Sequence, residues 1–395
     1  MVHSSPSAYH FLVGTFNTPH LYTLSFSPYP SPTLKILHRS DAIGSHSWLH
    51  LSESRRNLYA TAWTDPPSVV AYAVDSPTQI RMLGTAVTAS RSGYVTASNN
   101  AVYSAGGATG EVFAIDPKTG AFTGTSPALS EPHSASVKPL QKLSFVEASG
   151  AQRDDGSVMD FGGLRHGAHS ADLSPDGRTL YVADIGRNCI WTFAVDPSTG
   201  TLTPGEKVVS PRPHDGPRHV WPHPKGKYVY CLQEHSSMVD VFAITEHGTK
   251  LKQVQGVRII PDGLDVGHFW ADEVRTSFSH GDQPKYLYAS TRGLKEGQKG
   301  YVAVFALDAQ GRIGIDNQTQ PPAPDPLLCM WQTPTSGGWA NAIQPGPTID
   351  GVEYSALTDS EQGLVMVLAW DGHSIRQVAS VKLDQGAGAA TAVWL

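Results

Sequence analysis

The sequence predicts an all-β fold, a seven-bladed β-propeller, from a repeated pair of strand signals and from its composition. Seven times along the 395 residues, a short apolar run, usually with Tyr before small residues, is followed after a turn by a second alternating apolar run. Such pairs, separated by loops of varying length, are typical of propeller blades. The 38 Gly, 29 Pro and only 16% charged residues favour short strands and turns over helices.

The seven pairs define the expected blades. The first runs begin at Phe11, Leu58, Val102, Leu180, Val229, Leu287 and Glu353. The second runs begin at Leu21, Val69, Glu111, Cys189, Val239, Tyr301 and Leu364. We interpret each first run as the second strand of a blade, because a weaker strand signal usually precedes it.

The two ends of the chain predict how the propeller closes. The C-terminal segment Ala389 to Leu395 resembles an innermost strand, but no Tyr run follows it. The run at Phe11 lacks an innermost strand of its own. Pairing of the C-terminal strand with the N-terminal blade would complete that blade and leave no open sheet edge.

We expect a single β-propeller domain over residues 1–395. A ring of four-stranded blades occupies a chain of about this length as one unit. The exception to the even spacing is the segment 129–165, which is rich in Ser, Gly and charged residues. It is predicted to be a long loop between blades.

Composition limits the classes of partner. The N-terminus lacks the pattern of a signal peptide, and no apolar run reaches the roughly 20 residues of a membrane span. Three widely separated cysteines favour reduced thiols and a cytoplasmic location. A net charge of -6 gives no reason to expect nucleic acid. We therefore expect a small-molecule partner, no membrane and no nucleic acid, and leave a homo-oligomer open.

Aligning the blades on their Tyr runs predicts which residues line the mouth of the central channel. The positions where the first strand enters the blade are Ser47, His169 and Arg218. The positions where the second strand ends are Trp63, Ile185, Glu234 and Arg292. In an up-and-down blade these two places lie on the same face, so the side chains are expected to gather at one rim.

The residue types at these positions indicate an anionic substrate. Arg218 and Arg292 can grip carboxylates through two parallel hydrogen bonds. His169 can exchange protons near neutral pH, and Glu234 can do so if burial alters its ionisation. Two anion-binding groups beside an acid/base pair predict binding and proton transfer on a small carboxylate. A lone polar residue at a strand end more often caps a turn, so the prediction depends on the whole set.

Several segments resemble a known family. They are Gly167–Asp184, Gly216–Glu234, Tyr286–Gly293, Gln332–Gly338 and Leu357–Gly363. They are similar to the 3-carboxy-cis,cis-muconate lactonizing enzymes, also called carboxymuconate cyclases, and more distantly to propeller 6-phosphogluconolactonases. The resemblance covers most of the chain from Gly167 onward.

The resemblance implies a seven-bladed propeller that closes a lactone ring without metal or other cofactor. The family's site residues correspond to His169, Arg218, Glu234 and Arg292. Trp339, Asn341, Trp63 and Ser47 are the expected substrate-binding residues. Two departures stand out, since the family's S-G-G-H ends in Trp339 and its H-P-R begins with Gly216. The family's two arginines are present, but the expected pocket wall is altered at Trp339. This combination suggests the same chemistry on a larger or more aromatic substrate.

Three alternatives remain at this level. The first is a lactone hydrolase, including a metal-dependent one, for which the available ligands would be Asp184, Asn188, Asp272, Asn341 and Asp359. The second is a cyclase or pericyclase of secondary metabolism, with Trp63 and Trp339 as an apolar stacking wall. The third is a binding propeller without catalysis, which the fold alone does not exclude.

Overall fold

The computed structural model describes residues 8–124, 137–146, 167–278, 283–314 and 325–395. These residues form 28 strands in seven four-stranded antiparallel sheets, which are the seven predicted blades. Only two 3-10 turns occur within the described ranges, at Glu246–Gly248 and Val266–His268. In this part of the chain no helix is long and apolar enough to cross a membrane.

Contacts divide the chain into two compact units. The first contains Met1–His46, Asp75–Gln79 and Ile259–Leu395, and the second contains Ser47–Val74 and Ile80–Arg258. The expectation of a single domain over residues 1–395 stays a prediction.

The first unit holds blades I, VI and VII. Blade I consists of β1 (Tyr9–Thr15), β2 (His20–Ser27), β3 (Thr33–Asp41) and β28 (Ala389–Trp394). Blade VI consists of β20 (Phe269–Thr276), β21 (Tyr286–Gly293), β22 (Tyr301–Ala306) and β23 (Leu327–Gln332). Blade VII consists of β24 (Ile343–Ile349), β25 (Val352–Asp359), β26 (Leu364–Trp370) and β27 (Ile375–Lys382).

The second unit holds blades II to V, apart from the segment Asp75–Gln79. Blade II consists of β4 (Leu49–Leu51), β5 (Asn57–Ala62), β6 (Ser68–Ser76) and β7 (Gln79–Val87). Blade III consists of β8 (Tyr94–Ala97), β9 (Ala101–Gly106), β10 (Thr109–Ala114) and β11 (Gln141–Ser144). Blade IV consists of β12 (Ala168–Leu173), β13 (Thr179–Asp184), β14 (Cys189–Val195) and β15 (Leu202–Val209). Blade V consists of β16 (Pro217–Pro222), β17 (Tyr228–Gln233), β18 (Met238–Thr245) and β19 (Lys250–Arg258).

The strands differ in burial according to their place in the blade. All residues of β13 and β17 are buried, whereas β3 alternates between partly buried and exposed. Second strands therefore read as near-continuous apolar runs, and outermost strands keep the period-two pattern of a half-exposed sheet. This explains why the second strands gave the strongest signal in the sequence.

Pairing of the two chain ends confirms the predicted closure. Strand β28 runs antiparallel to β1, with Phe11 opposite Trp394 and Val13 opposite Ala392. The rings of Phe11 and Trp394 lie 4.5 Å apart between centroids. The backbone groups of β1 are thus paired on both sides, which removes an open edge at the N-terminus.

Strand β11 corrects the prediction of one long loop over residues 129–165. Gln141–Ser144 pairs with β10, with Thr109 opposite Ser144 and Val112 opposite Gln141. The strand was missed because QKLS is short and mostly polar, as outer edge strands often are. The rest of the predicted loop, apart from the residues flanking β11 within 137–146, lies outside the described residues.

Candidate active site

Bulges in the first strands of three blades carry polar residues. The register shifts between Ala168 and Ser170, between Pro217 and His219, and between Ala271 and Glu273. The extra residues are His169, Arg218 and Asp272. A bulge turns a side chain away from the regular alternation, and bulges are common beside active sites. The same bulge in the first strand of three blades therefore accounts for the polar side chains at these equivalent positions.

The ends of the second strands supply the other predicted residues. Glu234 directly follows β17, and its N–H donates to Gly216 O at 2.8 Å. Arg292 lies at the end of β21, opposite Trp270 of β20. Each residue therefore holds the blade position that counting along the sequence assigned to it.

In the second unit, Arg218 and Glu234 form a buried ion pair. Arg218 Nε lies 2.8 Å from Glu234 Oε2, and the two side chains are 8% and 2% exposed. His235 Nε2 lies 3.6 Å from the other carboxylate oxygen, Oε1. Because the pair is removed from water, the interaction orients the guanidinium far more strongly than a surface ion pair would.

Trp48, Tyr94, His169 and His219 form a histidine–aromatic cluster beside this ion pair. Trp48 and Tyr94 stack with centroids 3.9 Å apart. The His219 ring lies edge-on to both, at 5.1 Å and 5.5 Å, and 5.1 Å from the His169 ring. The Tyr94 hydroxyl donates to the Asp172 carboxylate. His169 is thus connected to Arg218 through its neighbour His219.

Gly216 explains one departure from the family pattern. Its φ is +70°, in the left-handed region that favours glycine. A Cβ at this position would lie 2.9 Å from His235 Nδ1. The glycine therefore leaves room for the His235 ring, which approaches Glu234 on its Oε1 side.

In the first unit, the backbone of a glycine turn holds Arg292. Arg292 is 8% exposed, and its Nη1 donates to the carbonyls of Gly338, at 3.4 Å, and Trp339. Its Cζ lies 4.9 Å from the centroid of the Trp270 ring. Carbonyl and cation–π contacts together hold the guanidinium in place.

Trp339 is an exposed indole on a fixed backbone. Its side chain is 71% exposed, whereas its N–H donates to Ser360 Oγ at 2.6 Å. The Phe16 ring lies 6.5 Å from it in an edge contact. The second departure from the family pattern therefore puts a large accessible aromatic face next to the carbonyl that binds Arg292.

Asn341 is fully buried beside the end of β21. Its Nδ2 donates to Thr291 O at 2.9 Å, and its backbone N–H donates to the Asp272 carboxylate. Its Oδ1 has no hydrogen-bond partner among the described residues. Arg292, Trp339 and Asn341, three of the predicted residues, thus belong to one local network.

Trp63 and Ser47 are tied to their own surroundings in the second unit. Trp63 Nε1 donates to Ser92 O at 2.9 Å, and Arg91 lies over its ring at 5.1 Å. The Ser47 hydroxyl is buried and lies 2.9 Å from that of Thr61. A role of either residue in substrate binding stays a prediction.

Residues considered as metal ligands bind backbone groups instead. Asp184 is fully buried and accepts N–H groups of Gly167 and Arg187 at 3.0 Å and 2.8 Å, and burial raises its pKa to about 6. Asn188 binds Gly216 N–H and Arg212 O in the same way. The carboxylates of Asp272 and Asp359 accept the N–H groups of Asn341 and Gln362. Within the described ranges, no three His, Cys, Asp or Glu side chains are grouped to hold a metal ion.

Sequence reasoning did not identify several neighbours of the predicted residues. They are Trp48, Tyr94, His219, His235 and Trp270. Trp270 had a usable signal, because it lies opposite Arg292 in the register of the blade. The contacts of Trp48 and Tyr94 join different blades, and spacing along one chain does not reveal them.

The chain belongs to the lactonase family of seven-bladed β-propellers. The family pattern matches residues 10–321. This confirms the resemblance found in the sequence and agrees with the seven four-stranded sheets.

Relatives within this class include fungal cycloisomerases. The chain is 41% identical to muconate cycloisomerase 1 of Cutaneotrichosporon cutaneum over 99% of both chains. It is 25% identical to the carboxy-cis,cis-muconate cyclase of Neurospora crassa, over 98% of this chain and 99% of that one. A solved periplasmic gluconolactonase of Pseudomonas aeruginosa shares the fold, with a TM-score of 0.72, 18% identity and coverage of 98% and 99%.

Proposed function

We propose that this protein is a cycloisomerase, an intramolecular lyase that closes a lactone ring on a conjugated dicarboxylate of the cis,cis-muconate type. The observation that carries the proposal is 41% identity, over 99% of both chains, to a muconate cycloisomerase. His169 and Arg218 occupy equivalent bulges in the first strands of blades IV and V, and Arg292 lies near the end of the second strand of blade VI, which supports the proposal.

The proposed reaction needs no external reactant. One carboxylate oxygen attacks the carbon γ to its own carboxylate, which belongs to the more distant double bond, and the new C–O bond closes a five-membered ring. The electron pair of that double bond moves to the carbon beside the second carboxylate, which becomes enolate-like. A proton then adds to this carbon, so the muconate dianion and the one proton that it takes up give the lactone monocarboxylate.

Arg218 and Arg292 are each proposed as carboxylate-binding residues. Both guanidiniums are nearly buried and fixed by protein contacts before substrate binds. A prearranged cation beside the developing enolate lowers the barrier because no reorganisation is needed during the reaction. Holding the diene in a folded shape removes part of the entropic cost of closure.

His169 is the proposed proton donor. Of the two acid/base candidates, Glu234 is held in an ion pair with Arg218 Nε at 2.8 Å. Protonating that carboxylate would break the ion pair in a buried setting. Glu234 is therefore better suited to orienting Arg218, and His169, which is only partly buried, remains as the general acid.

The test is incubation of the protein with cis,cis-muconate and with 3-carboxy-cis,cis-muconate while diene absorbance is followed. We expect absorbance to fall and a lactone of unchanged mass to form. In D2O the product should gain one deuterium at the carbon beside the free carboxylate. Unchanged absorbance with both dienes, together with hydrolysis of 6-phosphogluconolactone, would contradict the proposal and favour the lactone hydrolase.

A further inference from the structure

We propose that His219 is a positioning residue that holds Arg218 in its anion-binding orientation, and that it acts as a neutral imidazole protonated on Nδ1. Its place in catalysis rests on the proposed function. Its protonation state rests on geometry alone and can be tested without turnover.

The bulge in β16 brings these two successive side chains together. Neighbouring residues of a regular strand point to opposite faces, but the register shift between Pro217 and His219 changes the direction of Arg218. Arg218 Nη1 consequently lies 3.2 Å from His219 Nε2. A guanidinium has only donors, so Nε2 must be the acceptor. The imidazole proton is then on Nδ1.

Two contacts fix the plane of the guanidinium. Glu234 Oε2 lies 2.8 Å from Nε in an ion pair, and Nη1 lies 3.2 Å from His219 Nε2. Each contact alone would allow the group to pivot, whereas two contacts at different nitrogens define its orientation. A fixed guanidinium plane favours carboxylate binding, because the two parallel hydrogen bonds to a carboxylate require a defined orientation.

The histidine–aromatic cluster in turn fixes His219. The side chain is 1% exposed and lies edge-on to Trp48 and Tyr94. The Tyr94 ring is held by its hydroxyl bond to Asp172. The imidazole is therefore enclosed on several sides and keeps Nε2 directed at Arg218.

The groups around His219 make its charge state matter. It faces Arg218 from its own strand, His169 from β12 and Tyr94, bonded to Asp172, from β8. A proton on Nε2 would remove the acceptor and place a second cation beside the guanidinium. Acid should therefore weaken substrate binding through His219, whereas alkali should slow proton delivery through His169.

The kinetic experiment compares His219→Gln with His219→Met. The Gln side chain offers an oxygen near the place of Nε2, whereas Met has similar length without a comparable acceptor. We expect H219Q to keep kcat/KM within about threefold and H219M to lose at least about tenfold, mainly through KM, because a hydrogen bond to a charged group is lost. The acid limb of the kcat/KM profile should move to lower pH in H219Q while the alkaline limb stays. Equal losses in both variants, or an unmoved acid limb, would overturn the proposal.

Nitrogen-15 NMR of the wild-type imidazole provides the second measurement. At neutral pH we expect His219 to carry its proton on Nδ1 and to show an unprotonated Nε2. A proton on Nε2, or on both nitrogens, overturns the inference whether or not the protein turns over a muconate. If the wild-type protein shows the expected tautomer but turns over neither muconate, only the proposed function is contradicted.

Discussion

Arg292 illustrates how a candidate binding residue depends on groups far away in sequence. Its guanidinium is held by two backbone carbonyls and an indole ring, none of which belongs to its own strand. The residue itself was identified by its blade position. Its partners were not, because a carbonyl in a turn leaves no signal in side-chain pattern.

Replacing Arg292 with Ala should abolish most turnover and leave the fold intact. Loss of a prearranged cation at a developing charge is expected to lower kcat/KM by at least about a hundredfold. The matched control is Arg376→Ala, because that side chain is 63% exposed. Steady-state kinetics and thermal unfolding of both variants test this, and near-normal activity of R292A would remove Arg292 from the mechanism.

Of the other residues at the candidate site, the sequence identified some and missed others. His169 and Arg218 were found because the blades repeat, so counting from the Tyr runs reaches the bulged position in each. The role of His219 was missed because it follows from the bulge itself, which brings two neighbouring side chains into contact. A local backbone irregularity of this kind is not encoded in residue spacing.

At the scale of elements, the turn at Gly337 and Gly338 positions Arg292. Both residues have left-handed φ, +93° and +67°. A Cβ on Gly338 would lie 2.5 Å from Glu361 N, a backbone atom that cannot simply move aside. The turn therefore depends on glycine for both conformation and space.

Gly338→Ala should reduce both stability and activity. We expect a loss of about 1–3 kcal/mol in the free energy of unfolding, with a fall in kcat/KM as the carbonyls move away from Arg292. Gly363→Ala is the control, since its φ is +60° but its Cβ would meet nothing within 4 Å. Denaturant unfolding and kinetics give the comparison, and equal behaviour of the two variants would rule out the steric argument.

A second element-level feature joins blades VI and VII through a half-buried acid, Glu353. The Tyr288 hydroxyl donates to Glu353 Oε2 at 2.7 Å, and burial raises the pKa of Glu353 from 4.5 to about 7. Between these pH values the folded protein binds more protons at this site than the unfolded chain does. The contribution of this site to stability is therefore complete below pH 4.5 and is lost as the pH rises through about 7.

Glu353→Gln should remove this pH dependence. Gln stays neutral and can still accept the Tyr288 hydrogen bond, so we expect equal stability near pH 4.5 and a gain of up to about 3 kcal/mol near pH 8. Glu53→Gln, at an exposed position, should show no such gain. Unfolding measured across this pH range decides the matter, and parallel curves for wild type and E353Q would contradict the assignment.

At the scale of the whole molecule, the chain termini complete blade I. Trp394 of β28 is 9% exposed and packs on Phe11 and Phe26. Its indole N–H donates to Gln344 O at 3.1 Å in blade VII. One side chain thus holds the last strand to two blades.

Trp394→Ala should cost about 3–5 kcal/mol in the free energy of unfolding, because it leaves a large cavity. Trp339→Ala is the matched control, since that indole is 71% exposed and its loss should change stability by no more than about 0.5 kcal/mol. Chemical denaturation of the two variants measures both values. If Trp394→Ala lowers the free energy of unfolding as little as Trp339→Ala does, closure of blade I contributes little to stability.

The fold was predicted more fully than the site because blades repeat and sites do not. Buried second strands such as β13 and β17 consist mostly of apolar residues, so their number and order could be predicted from the sequence. Strand β11 was not, because an outer strand needs few apolar residues. Closure by Ala389 to Leu395 followed from counting unpaired strands at both ends.

The central claim is that Arg218 and His169, both in the second unit, act on one substrate. A crystal structure with the lactone product bound tests it most directly. We expect a product oxygen within about 3 Å of the Arg218 guanidinium and His169 beside the newly protonated carbon. A product that does not contact Arg218, or that binds away from His169, would contradict the account.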